Sequence, residues 1–132
     1  MNKTTYLLLR LAIGTSMFAH GLVRLPKLHG FSNWMLGSFS KSMIPLLLVR
    51  PFSYALPIAE FTIGLLILIG LFTRQALFAG GVVMILLLFG TCMIENWNAI
   101  NTQLIHIAFF AVLIQWINYN TFAVENKIKN TH

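Results

Sequence analysis

The chain has 132 residues, of which 58% are hydrophobic and 9% are Asp, Glu, Lys or Arg, whereas a soluble globular chain is about a quarter charged. So few charges cannot dress a soluble surface, and with a mean hydropathy of +0.79 any function must sit within or beside a bilayer. The net charge of +6 does not indicate nucleic acid: the basic residues fall mostly at the edges of apolar runs, as lipid headgroups require, and there is no basic stripe with interleaved aromatics. The single cysteine, Cys92, excludes intrachain disulfides and two-thiol redox motifs.

The N-terminal run has a basic residue followed by apolar ones, as a signal peptide does. Arg10 interrupts it and no small-residue cleavage site follows, so it reads as a retained first helix. Crossing the hydrocarbon core takes about twenty apolar residues, and four stretches qualify: 5–23, 53–72, 75–94 and 102–119. Alternating strand patterns are absent, and lipid demands that backbone amides be paired internally, so all four are helices. The expected fold is all-α: one domain, residues 1–132, forming an integral membrane four-helix bundle. The second and third spans are separated only by Thr73, Arg74 and Gln75, which predicts a tight antiparallel hairpin.

The one long connection, 24–52, carries Phe31, Trp34, Met35 and Phe39 at helical spacing opposite Asn33, Ser40 and Lys41. This predicts an amphipathic interfacial helix over 31–43, stopped before Pro45 and covering the mouth of the bundle. The tail from Glu125 to His132 is expected to fray. Lys3, Arg74, Lys127 and Lys129 fall on one side of the membrane, against Arg24, Lys27, Lys41 and Arg50 on the other. Arg10 tips the balance towards both termini inside.

Ionisable groups within a span are costly and mark function by default. Five stand out: Arg10, His20, Glu60, Glu95 and His106. On antiparallel spans the last four fall in one half of the bilayer, each from a different helix. Arg10, Gly14, Met17, Gly21 and Arg24 share a stripe on the first span; Pro57, Glu60, Gly64, Ile67 and Leu71 share one on the second. Small residues on such stripes let helices approach closely. A polar pocket lined by His20, Arg24, Glu60, Glu95 and His106 is the expectation, with Glu60 held by His20 or by Arg24 one turn further out. The structural alternative is that each group pairs or snorkels privately. Arg10, nearer the opposite edge, can reach the inner headgroups and is read as a structural charge.

Three chemistries could use the pocket: quinone binding with proton exchange, a carboxylate-histidine metal site, or a haem held by His20 and His106. No Glu-x-x-His pair lies on any span, so no metal site is assigned. No nucleophile elbow or phosphate-binding loop is present, and whether the chain is catalytic stays open.

The fragments Leu9-Arg10-Leu11, His20-Gly21-Leu22-Val23-Arg24-Leu25, Gly30-Phe31, Pro57-Ile58-Ala59-Glu60 with Gly64, and Gly70-Leu71-Phe72-Thr73-Arg74 resemble, in their order and spacing, the DoxX family of bacterial membrane proteins. Arg24 stands where lysine is more usual, and keeps the charge. The resemblance implies a multi-pass protein of the bacterial cytoplasmic membrane, similar to the small subunit of thiosulfate:quinone oxidoreductase. On that reading it contacts the lipid bilayer and a partner subunit of a redox complex, with quinone as cofactor and nothing covalently bound. The competing expectation is a non-catalytic scaffold or assembly subunit whose buried charges fix helix packing.

Overall fold

The structure, a computed structural model, describes residues 1–130. Four long helices form the bundle: α1 (Lys3–Arg24), α3 (Leu46–Ile69), α4 (Thr73–Met93) and α5 (Ile100–Gln115). Two short ones accompany them: α2 (Leu28–Ser38) in the long connection and α6 (Val124–Asn130) at the end. Four segments are long and apolar enough to cross a membrane, with mean hydropathies from 1.4 to 2.3. In the first of these, α1 and α2 are joined by a single 3-10 turn, Leu25–Lys27. Neighbours pack in a closed ring, α1 on α3, α3 on α4, α4 on α5 and α5 back on α1.

The α1–α3 seam is the tightest. A Cβ on Gly64 would lie 2.2 Å from the backbone nitrogen of Phe18, and one on Gly21 would lie 2.4 Å from that of Phe61. The two backbones therefore touch, which only glycine permits. This antiparallel register continues into α2: Ser32 hydrogen-bonds Ser53 at 2.7 Å, His29 meets Tyr54 at 3.0 Å, and Met35 packs with Val49. The first half of α3 thus has its own partner, so the helix begins at Leu46, seven residues before the predicted span, despite Arg50 and Pro51. The connecting helix likewise starts earlier than expected and ends at Ser38. Met35 is its buried apolar residue, while Trp34 stays 61% exposed.

The hairpin turn is Gly70–Phe72, and Thr73 already belongs to α4. Gly70, at φ 75°, closes α3 in the left-handed conformation, with its own N–H and that of Leu71 donating to the Leu66 carbonyl. On the next pair, Gly80 of α4 receives the Phe110 ring of α5. The last span ends at Gln115, short of the expected 119, and a 3-10 turn follows at Ile117–Tyr119.

The tail does not fray over its described part. The Glu125 N–H donates to the Gly70 carbonyl at 3.1 Å, and its carboxylate accepts from the Thr73 N–H at 3.1 Å. It thereby caps α4, whose own preceding residue, Phe72, offers no side-chain cap. Thr131 and His132 lie outside the described residues.

Replacing Gly64 or Gly21 with Ala should lower stability by about 2 kcal/mol or more, because small-to-large changes in a close-packed seam force backbone shifts. Gly37→Ala, with nothing within 4 Å, should be nearly neutral. Thermal unfolding in detergent reads the difference, and equal effects at all three positions would contradict the seam.

Candidate functional site

Two polar clusters stand at opposite ends of α1, about 21 Å apart for fourteen residues of helix at about 1.5 Å rise. The first surrounds Arg10. Far from reaching the headgroups, Arg10 is only 3% exposed, and its Nη1 donates to Asn120 Oδ1 at 2.6 Å. Asn120 Nδ2 in turn donates to Thr73 Oγ1 at 3.1 Å and Glu125 Oε1 at 2.8 Å, and the Asn120 carbonyl accepts from the Asn126 amide. Asn120 thus bridges a cation and a carboxylate and ties α1 to the start of α4 and to the tail. The Arg10 Nε remains buried and unpartnered. Arg10 is held from inside the bundle, through Asn120.

The second cluster is the candidate site. A cavity of about 320 Å³ opens where the end of α1, α2, mid-α3, the end of α4 and the start of α5 converge. His20, Arg24, Glu60 and His106 all line it. Glu95 does not: it sits exposed in the turn after α4 with φ 56°, a turn conformation that carries its side chain off the helix face used to place it.

Glu60, 2% exposed, receives two hydrogen bonds from Arg24 Nη1, at 3.0 Å to Oε1 and 2.8 Å to Oε2. Of the two partners expected for Glu60, the structure selects Arg24 over His20. The register explains it: Gly64 faces Phe18 and Gly21 faces Phe61, so Glu60 stands near the level of Leu22, between the two. Arg24 has the length and lies on the buried stripe, whereas His20 flanks it and donates its Nδ1–H to the Ser16 carbonyl at 2.6 Å. Phe31 of α2 lies under the Arg24 guanidinium, 4.6 Å from ring centroid to Cζ.

Ser16 links both histidines. Its carbonyl takes the His20 proton, and its hydroxyl meets His106 Nε2 at 2.8 Å. His106 donates its Nδ1–H to the Thr102 carbonyl at 2.7 Å, so both of its nitrogens are engaged. The two rings stand edge to face, 6.2 Å apart. That geometry does not suit a haem, which needs a free nitrogen from each ring on opposite sides of the iron. Among the described residues, no three His, Cys, Asp or Glu side chains gather as metal ligands.

Two contributors escape sequence reasoning. Ser16 gives no ionisable signal. Gln103 precedes His106 by one helical turn and donates its Nε2–H to Thr91 Oγ1 at 2.8 Å, and its Oε1 is buried without a partner. The spacing of Gln103 and His106 on one face was the available clue. Phe39, expected in the segment that covers the mouth of the bundle, packs its ring on Gly90, 3.1 Å from where a Cβ would stand. Behind it a second, almost wholly apolar hollow of about 410 Å³ runs along α2, α3 and α4. The two hollows share Met35, Phe39, Phe52, Leu86 and Gly90. Met43, Leu48 and Phe89 of the apolar hollow are exposed, so it opens on the surface of the bundle.

Removing one partner of a buried pair strands the other charge, at a cost of about 3–5 kcal/mol. Glu60→Leu should therefore destabilise the protein by about 3 kcal/mol, and adding Arg24→Met should recover most of that loss. His20→Phe in the same background should recover nothing. A double-mutant cycle by thermal unfolding checks this, and rescue through His20 in place of Arg24 would reverse the assignment.

No curated protein and no solved structure that was compared matches the chain. The model of the DoxX family matches residues 5–94, a stretch that holds α1 to α4 with the Arg24–Glu60 pair and the Gly21 and Gly64 contacts. A match over this much of the chain, on a bundle of four apolar helices, makes it a multi-pass membrane protein belonging to the DoxX family.

Proposed function

We propose that the chain is a small membrane subunit that holds a quinone of the bilayer at the α2 end of the bundle, within a redox system of the thiosulfate:quinone oxidoreductase type. The observation that carries this reading is the junction of the two hollows. A ligand with a polar ring and a long apolar tail needs a compact cavity with a few polar groups and a greasy exit to lipid, and the pair of hollows offers both. The polar cavity, at about 320 Å³, is at the small end of ligand pockets, which begin near 300 Å³. That suits a six-membered ring head with its tail elsewhere.

The chain's own residues would bind and orient the ring and hold protons beside it; quinone, when bound, supplies the electron chemistry. With one cysteine and no cofactor-binding motif, the chain needs a partner subunit to deliver electrons. Its place is the bacterial cytoplasmic membrane, with both termini inside.

A second reading has its own support. Both oxygens of Glu60 are filled by Arg24, which is what a scaffold with charges fixing helix pairing requires. The two readings part over ligand binding. Purified protein should bind decylubiquinone saturably and at least about tenfold more tightly than the same ring without its tail, since burying two methylenes is already worth about 1.6 kcal/mol. Gly90→Leu, which displaces Phe39 at the junction, should remove most of that tail dependence. Equal, non-saturable partitioning of both compounds leaves the scaffold reading.

A further inference from the structure

We propose that the hairpin end of the bundle, away from the cavity at Glu60, holds a phospholipid of net negative charge, with its phosphodiester on Arg74 and an acyl chain in the groove between α4 and α5. Two adjoining hollows and one unmatched cation carry the inference. It does not depend on what the cavity at the α2 end binds.

The hollow at this end, about 940 Å³, is bordered by Arg74 and Gln75 of α4, by Asn118, Asn120 and Thr121 after α5, and by Glu125 of the tail. A second hollow, about 340 Å³, is lined by the same Arg74 and Gln75 together with Phe78 and Ile114. The two therefore meet at the first turn of α4. With 21 residues, α4 is about 31 Å long at about 1.5 Å per residue, close to the hydrocarbon thickness of about 30 Å. Arg74 thus stands at the edge of the hydrocarbon, and Phe78, one turn on, lies about 6 Å deeper. Gly81 follows on the same stripe, where a Cβ would meet only Phe110 Cβ at 4.0 Å, so the groove runs on towards the middle of the bilayer. A polar hollow at the membrane edge that continues into an apolar groove fits a molecule with a polar head and a long chain.

Charge decides the class of lipid. Of the charged residues lining the polar hollow, Glu125 has both oxygens taken, Oε1 by Asn120 and Oε2 by the Thr73 N–H. Through Asn120 its charge answers that of Arg10. Arg74 is exposed and makes no hydrogen bond or ion pair among the described residues. One positive charge is left over, which a monoanionic phosphodiester matches, and an arginine fork can take two phosphate oxygens at once. A choline or ethanolamine headgroup would add a second cation, with no unpaired acid at the hollow to meet it. A glycerol headgroup brings hydroxyls instead, and the exposed side chains of Gln75, Asn118 and Thr121 can both donate to them and accept from them. The occupant is of the phosphatidylglycerol type.

The test is competition binding to the full chain, stripped of lipid in detergent and read by native mass spectrometry, with dioleoylphosphatidylglycerol and dioleoylphosphatidylcholine added together. One phosphatidylglycerol should be retained at least about fivefold more tightly, which is what one basic residue contributes at an anionic surface. Arg74→Gln should abolish that preference. Because Arg74 is exposed and without a partner among the described residues, the variant should unfold at the same temperature as the unmodified protein when no lipid is present. Gly81→Leu, which fills the groove, should weaken retention of both lipids several-fold, and the Arg74 variant keeps the test sound if this one fails to fold. Glycerol phosphate, the head without its chains, should not displace the lipid. Equal retention of the two lipids, a preference that survives Arg74→Gln, or displacement by glycerol phosphate would each overturn the proposal. Retention unchanged by Gly81→Leu in a folded protein would overturn the placing of the chain.

Discussion

Two helices in lipid have no water to expel from between them, so what holds α1 against α3 is how closely their backbones can come together. Gly21 and Gly64 let them touch. Because the contact is backbone to backbone, it fixes the register along the whole seam, and much of the site is a consequence of that register. It brings the level of Glu60 to Leu22, within reach of Arg24, and it sets Ser32 and Met35 of α2 against Ser53 and Val49 of α3. The chain leaves α1 through a 3-10 turn at Leu25–Lys27, containing Pro26, at the level where α3 carries Pro57. Neither proline can donate a backbone hydrogen bond, so both strands of the seam lose regular helix pairing at the height of the cavity.

The charges obey the same economy at both ends. An ion inside an apolar bundle persists when it has partners, and each end solves this differently. At the hairpin end Arg10 uses a neutral intermediary, Asn120, to reach Glu125, which also caps α4. The result is a knot of α1, the α3–α4 turn and the tail, closed over Gly70, where a side chain would collide with Ala123. At the cavity end Arg24 meets Glu60 directly. Both ends carry a hollow beside the paired charges, about 940 Å³ lined by Asn120 and Glu125 at the hairpin and about 320 Å³ lined by Arg24 and Glu60 at the other.

The apolar periodicity and the stripes of α1 and α3 were legible because they follow from helix geometry alone: Arg10, Gly14, Met17 and Gly21 are buried on one side, and Pro57, Glu60, Gly64 and Ile67 on the other. The start of α3 was not, since Arg50 and Pro51 argue locally against a helix and only packing with α2 outweighs them. Glu95 was misplaced for a related reason. Helical spacing was carried two residues past Met93, the end of α4, to a residue whose own backbone turns to positive φ. The tail looked polar and free because Glu125 finds its partners, Thr73 and Asn120, through tertiary contacts that no local pattern records. Ser16 and Gln103 carry no formal charge, so a search for intramembrane ions passes over them, although they hydrogen-bond His20, His106 and Thr91 at the cavity.

A scaffold and a binding site make opposite demands on polar groups, and in this bundle paired and unpaired groups line the same cavity. Fixing helix pairing calls for charges met by protein partners, which the Arg24–Glu60 pair and the Asn120 bridge provide. Neither needs a hollow beside it. Binding calls for groups held in place on one side and unmet on the other. His20 is anchored through Nδ1 and open at Nε2; Gln103 is anchored through its amide nitrogen and unmet at its oxygen. Anchoring on one side removes the freedom such side chains would otherwise lose on meeting a ligand. The carboxylate that first draws attention in the sequence accepts on both oxygens from Arg24 and so finds its partner within the bundle.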